Sequence, residues 1–142
     1  MACELFSQDE KKVIEEFGQL LKSNAQNYGA ESLSRLFMTN PGSKTYFDYS
    51  DFSMPNLKGH GEKVMNALAK AADNVDNLKG SLCDLAALHG KTLLVDPQNF
   101  PIFSRCIQVT LANNLSSFPP GHQLAIDKFL KAVYQNLSSK YR

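Results

Sequence analysis

Apolar residues along this chain recur at helical spacing in one segment after another. Ser7-Gln8-Asp9-Glu10 reads as a capping box, in which a Ser and a Glu side chain satisfy each other's backbone amides at a helix start. Behind it Val13, Phe17, Leu20 and Leu21 form an amphipathic stripe. Tyr28, Leu33, Leu36 and Phe37 continue in the same period until Asn40-Pro41-Gly42 interrupts them. A short segment, Ser43 to Phe47, precedes the polar, aromatic stretch Asp48 to Pro55. Pro55 suits the first turn of the next helix, where its missing N–H costs nothing.

That next helix carries Leu57, His60, Val64, Leu68 and Ala71 on one face and is rich in the strong helix formers Lys, Ala and Glu. Asp73 to Gly80 reads as a loop or distorted turn. Leu82, Leu85, Ala86, His89 and Leu93 again share a face. Asp96-Pro97 predicts a helix start, with Asp as N-cap and Pro at the first helical position. Phe100, Phe103, Ile107 and Leu111 point inward from that helix, and Phe118-Pro119-Pro120-Gly121 breaks the pattern. A last helix runs through Leu124, Phe129, Val133 and Leu137. Strand-like alternation, internal repeats and linker composition are missing, so the expectation is one all-α domain over residues 1–142, with about seven helices. Their unequal lengths argue against a regular four-helix bundle.

Composition narrows the classes further. The chain has 142 residues, 43% of them hydrophobic, enough for a single core. Fifteen basic and fourteen acidic residues, scattered singly, give no field that steers the chain toward nucleic acid. No apolar run approaches the ~20 residues that span a bilayer. The N-terminal Met-Ala-Cys-Glu lacks a basic region before an apolar stretch, so a cytosolic protein without a secretory signal is expected. Cys3, Cys83 and Cys106 are far apart, form no CxxC, and read as free structural thiols.

Three histidines exist, and His60 and His89 lie on otherwise apolar helical faces. A lone histidine in such a place is most often a packed core residue. Zinc needs further ligands, and neither helix face carries a carboxylate or cysteine at ligand spacing. Haem needs only one protein ligand, because the porphyrin supplies four nitrogens, together with a large apolar pocket. Phe47, Val64, Leu85, Leu93, Val95, Phe103 and Leu137 are the residues available to line one. Spacing alone leaves haem binding and packed core histidines equally open. His122, after Pro-Pro-Gly, is assigned to the surface, and Cys106 to a small buried or interfacial hydrophobe.

Four motifs carry a resemblance: Pro41-Gly42-Ser43-Lys44-Thr45-Tyr46-Phe47, Lys58-Gly59-His60-Gly61, Leu88-His89, and Val95-Asp96-Pro97-Gln98-Asn99-Phe100. With the terminal Ser139-Lys140-Tyr141-Arg142 they resemble the globin family, and within it the haemoglobin alpha chains, from about residue 7 onward. The short connection between Phe47 and Leu57 is similar to that of alpha chains. The resemblance implies a globin fold around haem b, with His89 as the proximal iron ligand and His60 as the distal residue facing O2. It adds Tyr49 and Lys63 near the haem propionates, Phe47 wedged against the porphyrin, and Asn99 and Phe100 among the pocket residues.

The same resemblance implies reversible O2 transport in the cytoplasm of red blood cells, as the alpha subunit of a heterotetramer with beta chains. Arg142 then pairs with Asp127 and groups near Lys128 of the other alpha subunit, and Tyr141 places its hydroxyl on the Val95 carbonyl. Lys44 meets the beta C-terminus. Tyr46, Asp96 and Asn99 face the sliding contact, while Arg35, Cys106 and Phe118 belong to the static one. The chain departs from the family pattern in a longer N-terminus, in Gly42 and Asp48 at the sliding contact, and in Phe17 at the usual tryptophan position. The competing classes are a haem enzyme and a haem-free interaction protein. A peroxidase wants a distal acid–base pair and a carboxylate-held proximal ligand, and the residues before His89 are Leu85, Ala86, Ala87 and Leu88. A dioxygenase needs a reductase partner that this length cannot contain, so no enzymatic activity is expected.

Overall fold

A computed structural model of the chain describes residues 6–46, 53–83 and 98–138. Among them there are six α-helices and two short 3-10 segments, and no strand. Helix α1 spans Gln8–Ser23, α2 Ala25–Thr39, α3 Met54–Asp73, α4 Leu78–Ser81, α5 Asn99–Asn114 and α6 Pro120–Ser138. The all-α expectation holds.

Local signals set most of the boundaries. Ser7 caps α1 and accepts from the Glu10 amide, while the Glu10 carboxylate accepts from the Ser7 amide at 2.8 Å, so the capping box forms as read. Helix α2 stops at Thr39, and Pro41–Tyr46 continues as a 3-10 turn. Pro55 sits in the first turn of α3. The start expected at Asp96-Pro97 lies outside the described residues. Gln98 already has helical backbone angles before α5. The stretch Asp73 to Gly80 is more ordered than a loop: α3 runs through Asp73, a 3-10 turn covers Val75–Asn77, and Asn77 caps the short α4 through the Gly80 amide.

Helix α3 packs on both α1 and α2, which places it at the centre of the fold. Its second side explains why Met65, Ala69 and Ala72 are buried along with the expected Leu57, Leu68 and Ala71. The crossing with α2 is a backbone contact. A Cβ built on Gly29 would collide with the Gly61 backbone, and one built on Gly61 would lie 2.7 Å from the Ala30 nitrogen. Only a residue without Cβ fits such an approach.

Ile14, Phe17, Leu21, Met65, Leu111 and Phe129 form the centre of the main core, with the rings of Phe17 and Phe129 edge to face at 6.0 Å. A second cluster joins Leu33, Leu36, Phe37, Leu57 and Cys106. Helices α2 and α5 run antiparallel. Asn40 Nδ2 donates to Asn99 Oδ1 at 2.8 Å at one end of the pair. In the middle the buried Ser32 hydroxyl donates to Thr110 Oγ1 at 3.1 Å, and at the far end Asn113 and Asn114 donate to Glu31. On α6, Phe129 and Val133 point inward as expected, but Leu124 faces outward, and Ala125 and Ile126 fill the core instead.

Candidate functional site

Seven of the expected pocket residues are described, and they come from three helices. His60, Lys63 and Val64 lie on α3, Asn99, Phe100 and Phe103 on α5, and Leu137 on α6. His60 and Val64 are one turn apart and both half-buried, unlike their neighbours Gly61 and Met65, which are fully covered. The stripe holding the histidine therefore lies at the edge of the core.

Val64, Phe103 and Leu137 all pack against the main core, and Phe103 also touches the second cluster. Each of the three, and Phe100 as well, nevertheless stays half-buried. Large apolar side chains that the chain itself covers only in part, one of them a helical turn from an imidazole, suit a flat apolar ring system better than a bare metal ion. Lys63, three positions after His60 on α3, is exposed. Phe47, Tyr49, Leu85, His89, Leu93 and Val95 lie outside the described residues.

The expected contact residues divide in the same way. Arg35, Lys44, Tyr46, Cys106, Phe118 and Asp127 are described, whereas Asp96, Tyr141 and Arg142 lie outside. Arg35 Nη2 donates to Glu31 Oε2 at 2.6 Å across one helical turn. Burial pushes the Glu31 carboxyl up, but hydrogen bonds from Asn114, Arg35 and Asn113 outweigh it and hold the group below the usual carboxylate range. Cys106 is buried, which pushes its thiol above the ordinary value and leaves it a small hydrophobe, as read. Asp127 accepts from Gln108 at 2.8 Å. Lys128, next to it, reaches Glu10 at 3.1 Å and stands 5.2 Å over the Phe6 ring. His122 is exposed, as assigned, and 3.7 Å from Glu16.

Sequence patterning gave no notice of three exposed apolar side chains. Met38 is 78% exposed, Val109 43% and Leu124 71%, each of them an apolar side chain left in water. Val109 lines a cleft of about 360 Å³ between α5 and α6, with Arg105, Gln108, Gln123 and Asp127 around it. None of the expected pocket residues lines that cleft. The only sequence signal was spacing, since Met38 follows Arg35 by three positions and Val109 follows Cys106 by three. Among the described residues no helix is long and apolar enough to cross a membrane.

Comparison with known proteins agrees with this architecture. The family model described as "Globin" matches residues 30–137. The chain is 52% identical over 139 residues to the haemoglobin alpha subunit of Mustelus griseus, covering 96% of this chain and 99% of that one. It is 52% identical over 141 residues to that of Hemitrygon akajei, covering 97% and 99%. Among solved structures, deoxy haemoglobin from Dasyatis akajei superposes with a TM-score of 0.93 at 51% identity, covering 97% of this chain and 100% of that chain. The deoxy haemoglobin of Mustelus griseus gives 0.92 at the same identity and coverage. With a globin match over most of its length and haemoglobin alpha subunits similar to it from end to end, the chain belongs to the globin family.

Proposed function

We propose that this single globin domain, residues 1–142, binds O2 reversibly on haem b and carries it as the alpha subunit of an α2β2 heterotetramer with beta chains. The observation that supports it best is the similarity to haemoglobin alpha subunits over almost the whole chain, at about half identity. The half-buried set His60, Val64, Phe100, Phe103 and Leu137 supports a large apolar ligand at the edge of the core. The exposed Met38, Val109 and Leu124 support a partner that covers them. The place of action proposed with this reading is the cytoplasm of red blood cells, and the role is carriage and not catalysis.

Bound haem supplies an iron centre that takes and releases O2. His89 would hold that iron with a neutral imidazole through Nε2, and its Nδ1–H would then need an acceptor. The Leu85 carbonyl, four positions earlier, is available by spacing. His60 would present a ring N–H to a polar diatomic ligand, and Val64, one turn along, would narrow its approach. Phe47, Leu93, Val95, Phe100, Phe103 and Leu137 exclude water, which keeps the imidazole donor strong. Tyr49, Lys63 and Asn99 hold the polar edge. Arg35, Cys106 and Phe118 serve the static contact with a beta chain, Tyr46, Asp96 and Asn99 the sliding one, and Lys44 the beta C-terminus; Arg142 pairs with Asp127 of the other alpha subunit, with Tyr141 placed on the Val95 carbonyl.

Reconstitution with haem and cycling between O2 and vacuum tests the reading by absorption spectroscopy. The expected result is a reversible change between two spectra in the wild type. His89→Gly should lose stable haem retention, and added imidazole should restore it. An unchanged ligand-free spectrum in His89→Gly without imidazole would remove His89 from its role.

A further inference from the structure

We infer that Glu31 is the positioning residue that sets Arg35 for docking of the partner globin, an inference that rests on the heterotetramer reading above. Both Glu31 carboxylate oxygens are occupied. Oε1 accepts from Asn114 at 3.0 Å, while Oε2 accepts from Asn113 at 3.2 Å and from Arg35 at 2.6 Å. Asn114 Nδ2 also donates to the Thr110 carbonyl at 2.7 Å, so the carboxylate is tied to the backbone of a neighbouring helix. A charge-assisted bond to an anchored carboxylate removes most of the freedom a long arginine side chain has.

The place of this network is what makes it functional. The Arg35 side chain is 35% exposed, although its Nε is buried and has no hydrogen-bond partner. Glu31 thus holds the guanidinium at the surface in a pose that the chain alone leaves incompletely satisfied. Met38, 78% exposed, follows Arg35 by one turn. Helix α5, which packs on α2, carries a further uncovered apolar side chain, Val109, 43% exposed. Arginine and large apolar residues in such a combination are the usual anchors of protein interfaces. Fixing the anchor before contact lowers the entropy lost on association, so Glu31 acts on binding of the partner in addition to tying α2 to α5 in the fold.

The haem-loaded chain is mixed with its own beta-type partner, and the αβ dissociation constant is measured by sedimentation for wild type, Glu31→Gln, Arg35→Met and the double variant. Both single variants are expected to weaken the dimer about tenfold, and the double variant to be no weaker than Arg35→Met alone. Asn113→Ala, which frees one bond only, gives a smaller loss that vanishes in the Arg35→Met background. Melting of the isolated chains and their haem spectra serve as the measure of folding. A weakened dimer for Arg35→Met with a wild-type constant for Glu31→Gln and Asn113→Ala would overturn the positioning role and leave the subunit reading intact. A wild-type constant for Arg35→Met would overturn the place of this face in the subunit contact itself.

Discussion

Gly29 and Gly61 meet backbone to backbone where α2 crosses α3, and His60 is the residue beside that contact. The crossing fixes the height and rotation of the α3 turn that carries the imidazole. A methyl group at either position must push two helices apart.

Gly61→Ala is therefore expected to destabilise the fold. In an open helix the change would stabilise by about 0.5–1 kcal/mol, but overpacking at a backbone contact costs about 1–3 kcal/mol and wins. Thermal melting should fall by several degrees, roughly 2–4 °C per kcal/mol for a domain of this size. The O2 dissociation rate of the haem-loaded variant should change as well, because His60 moves with the turn. A melting temperature at or above wild type would show that the crossing tolerates the methyl group.

His60→Leu should keep haem but release O2 faster and oxidise sooner. One hydrogen bond to a polarised ligand contributes about 1–3 kcal/mol, which is roughly tenfold or more in rate. Stopped-flow dissociation reads this directly, and an unchanged rate would mean that the His60 ring serves another group.

Acid stability should depend on Glu10 and Glu31. The Ser7 amide, and after it Lys128, hold the Glu10 carboxyl below its ordinary value near 4.5, and Glu31 is lowered by the bonds described above. A carboxyl lowered in the folded state binds its proton more readily when unfolded. Its contribution is thus complete above about pH 4.5 and is lost as pH falls through the folded value. Urea unfolding of Glu10→Gln should show a smaller loss of midpoint between pH 6 and pH 3.5 than wild type shows. Parallel curves for the two proteins would count against it. Glu10 is exposed enough that solvent keeps the effect small.

Deleting Tyr141 and Arg142 should raise O2 affinity and lower the Hill coefficient of the assembled tetramer, with no change in spectrum. Contacts made only in the low-affinity arrangement bias the equilibrium toward it, and their loss reverses the bias. Oxygen equilibrium curves on truncated and full-length chains, each reassembled with its beta chain, decide the matter. Superimposable curves would refute a role for these two residues.

Local chemistry was the legible part of the fold. The capping box at Ser7 and Glu10, the break at Asn40-Pro41-Gly42 and the entry of Pro55 depend on neighbours within a few positions, and all three stand as read. Stripes were legible in period but not in width. The α1 stripe omitted Ile14, and the α3 stripe omitted Met65 and Ala69, because a helix covered on two sides buries more than one face. Leu124 was read with the inner residues of α6 because hydrophobicity does not tell a core from a surface awaiting a partner. The Glu31 contacts to Asn113 and Asn114 were invisible, since they join positions 82 and 83 residues apart. His60 was found because an imidazole on an apolar stripe is chemically conspicuous, while its half-burial came only with the structure. The turn holding His89 lies outside the described residues, so its role rests on resemblance.

The Glu10 carboxylate holds the Ser7 amide and the Lys128 ammonium at once, the latter 118 positions away. Replacement by Asp would leave the side chain too short for both tasks, and replacement by Gln would keep the cap but abandon the cation. Lys128 cannot become acidic either without setting two like charges against each other at the entrance of α1. Among descendants of this sequence, positions 10 and 128 should therefore drift as a pair. A helix start near one end of the chain and a surface charge near the other are thus joined through one carboxylate.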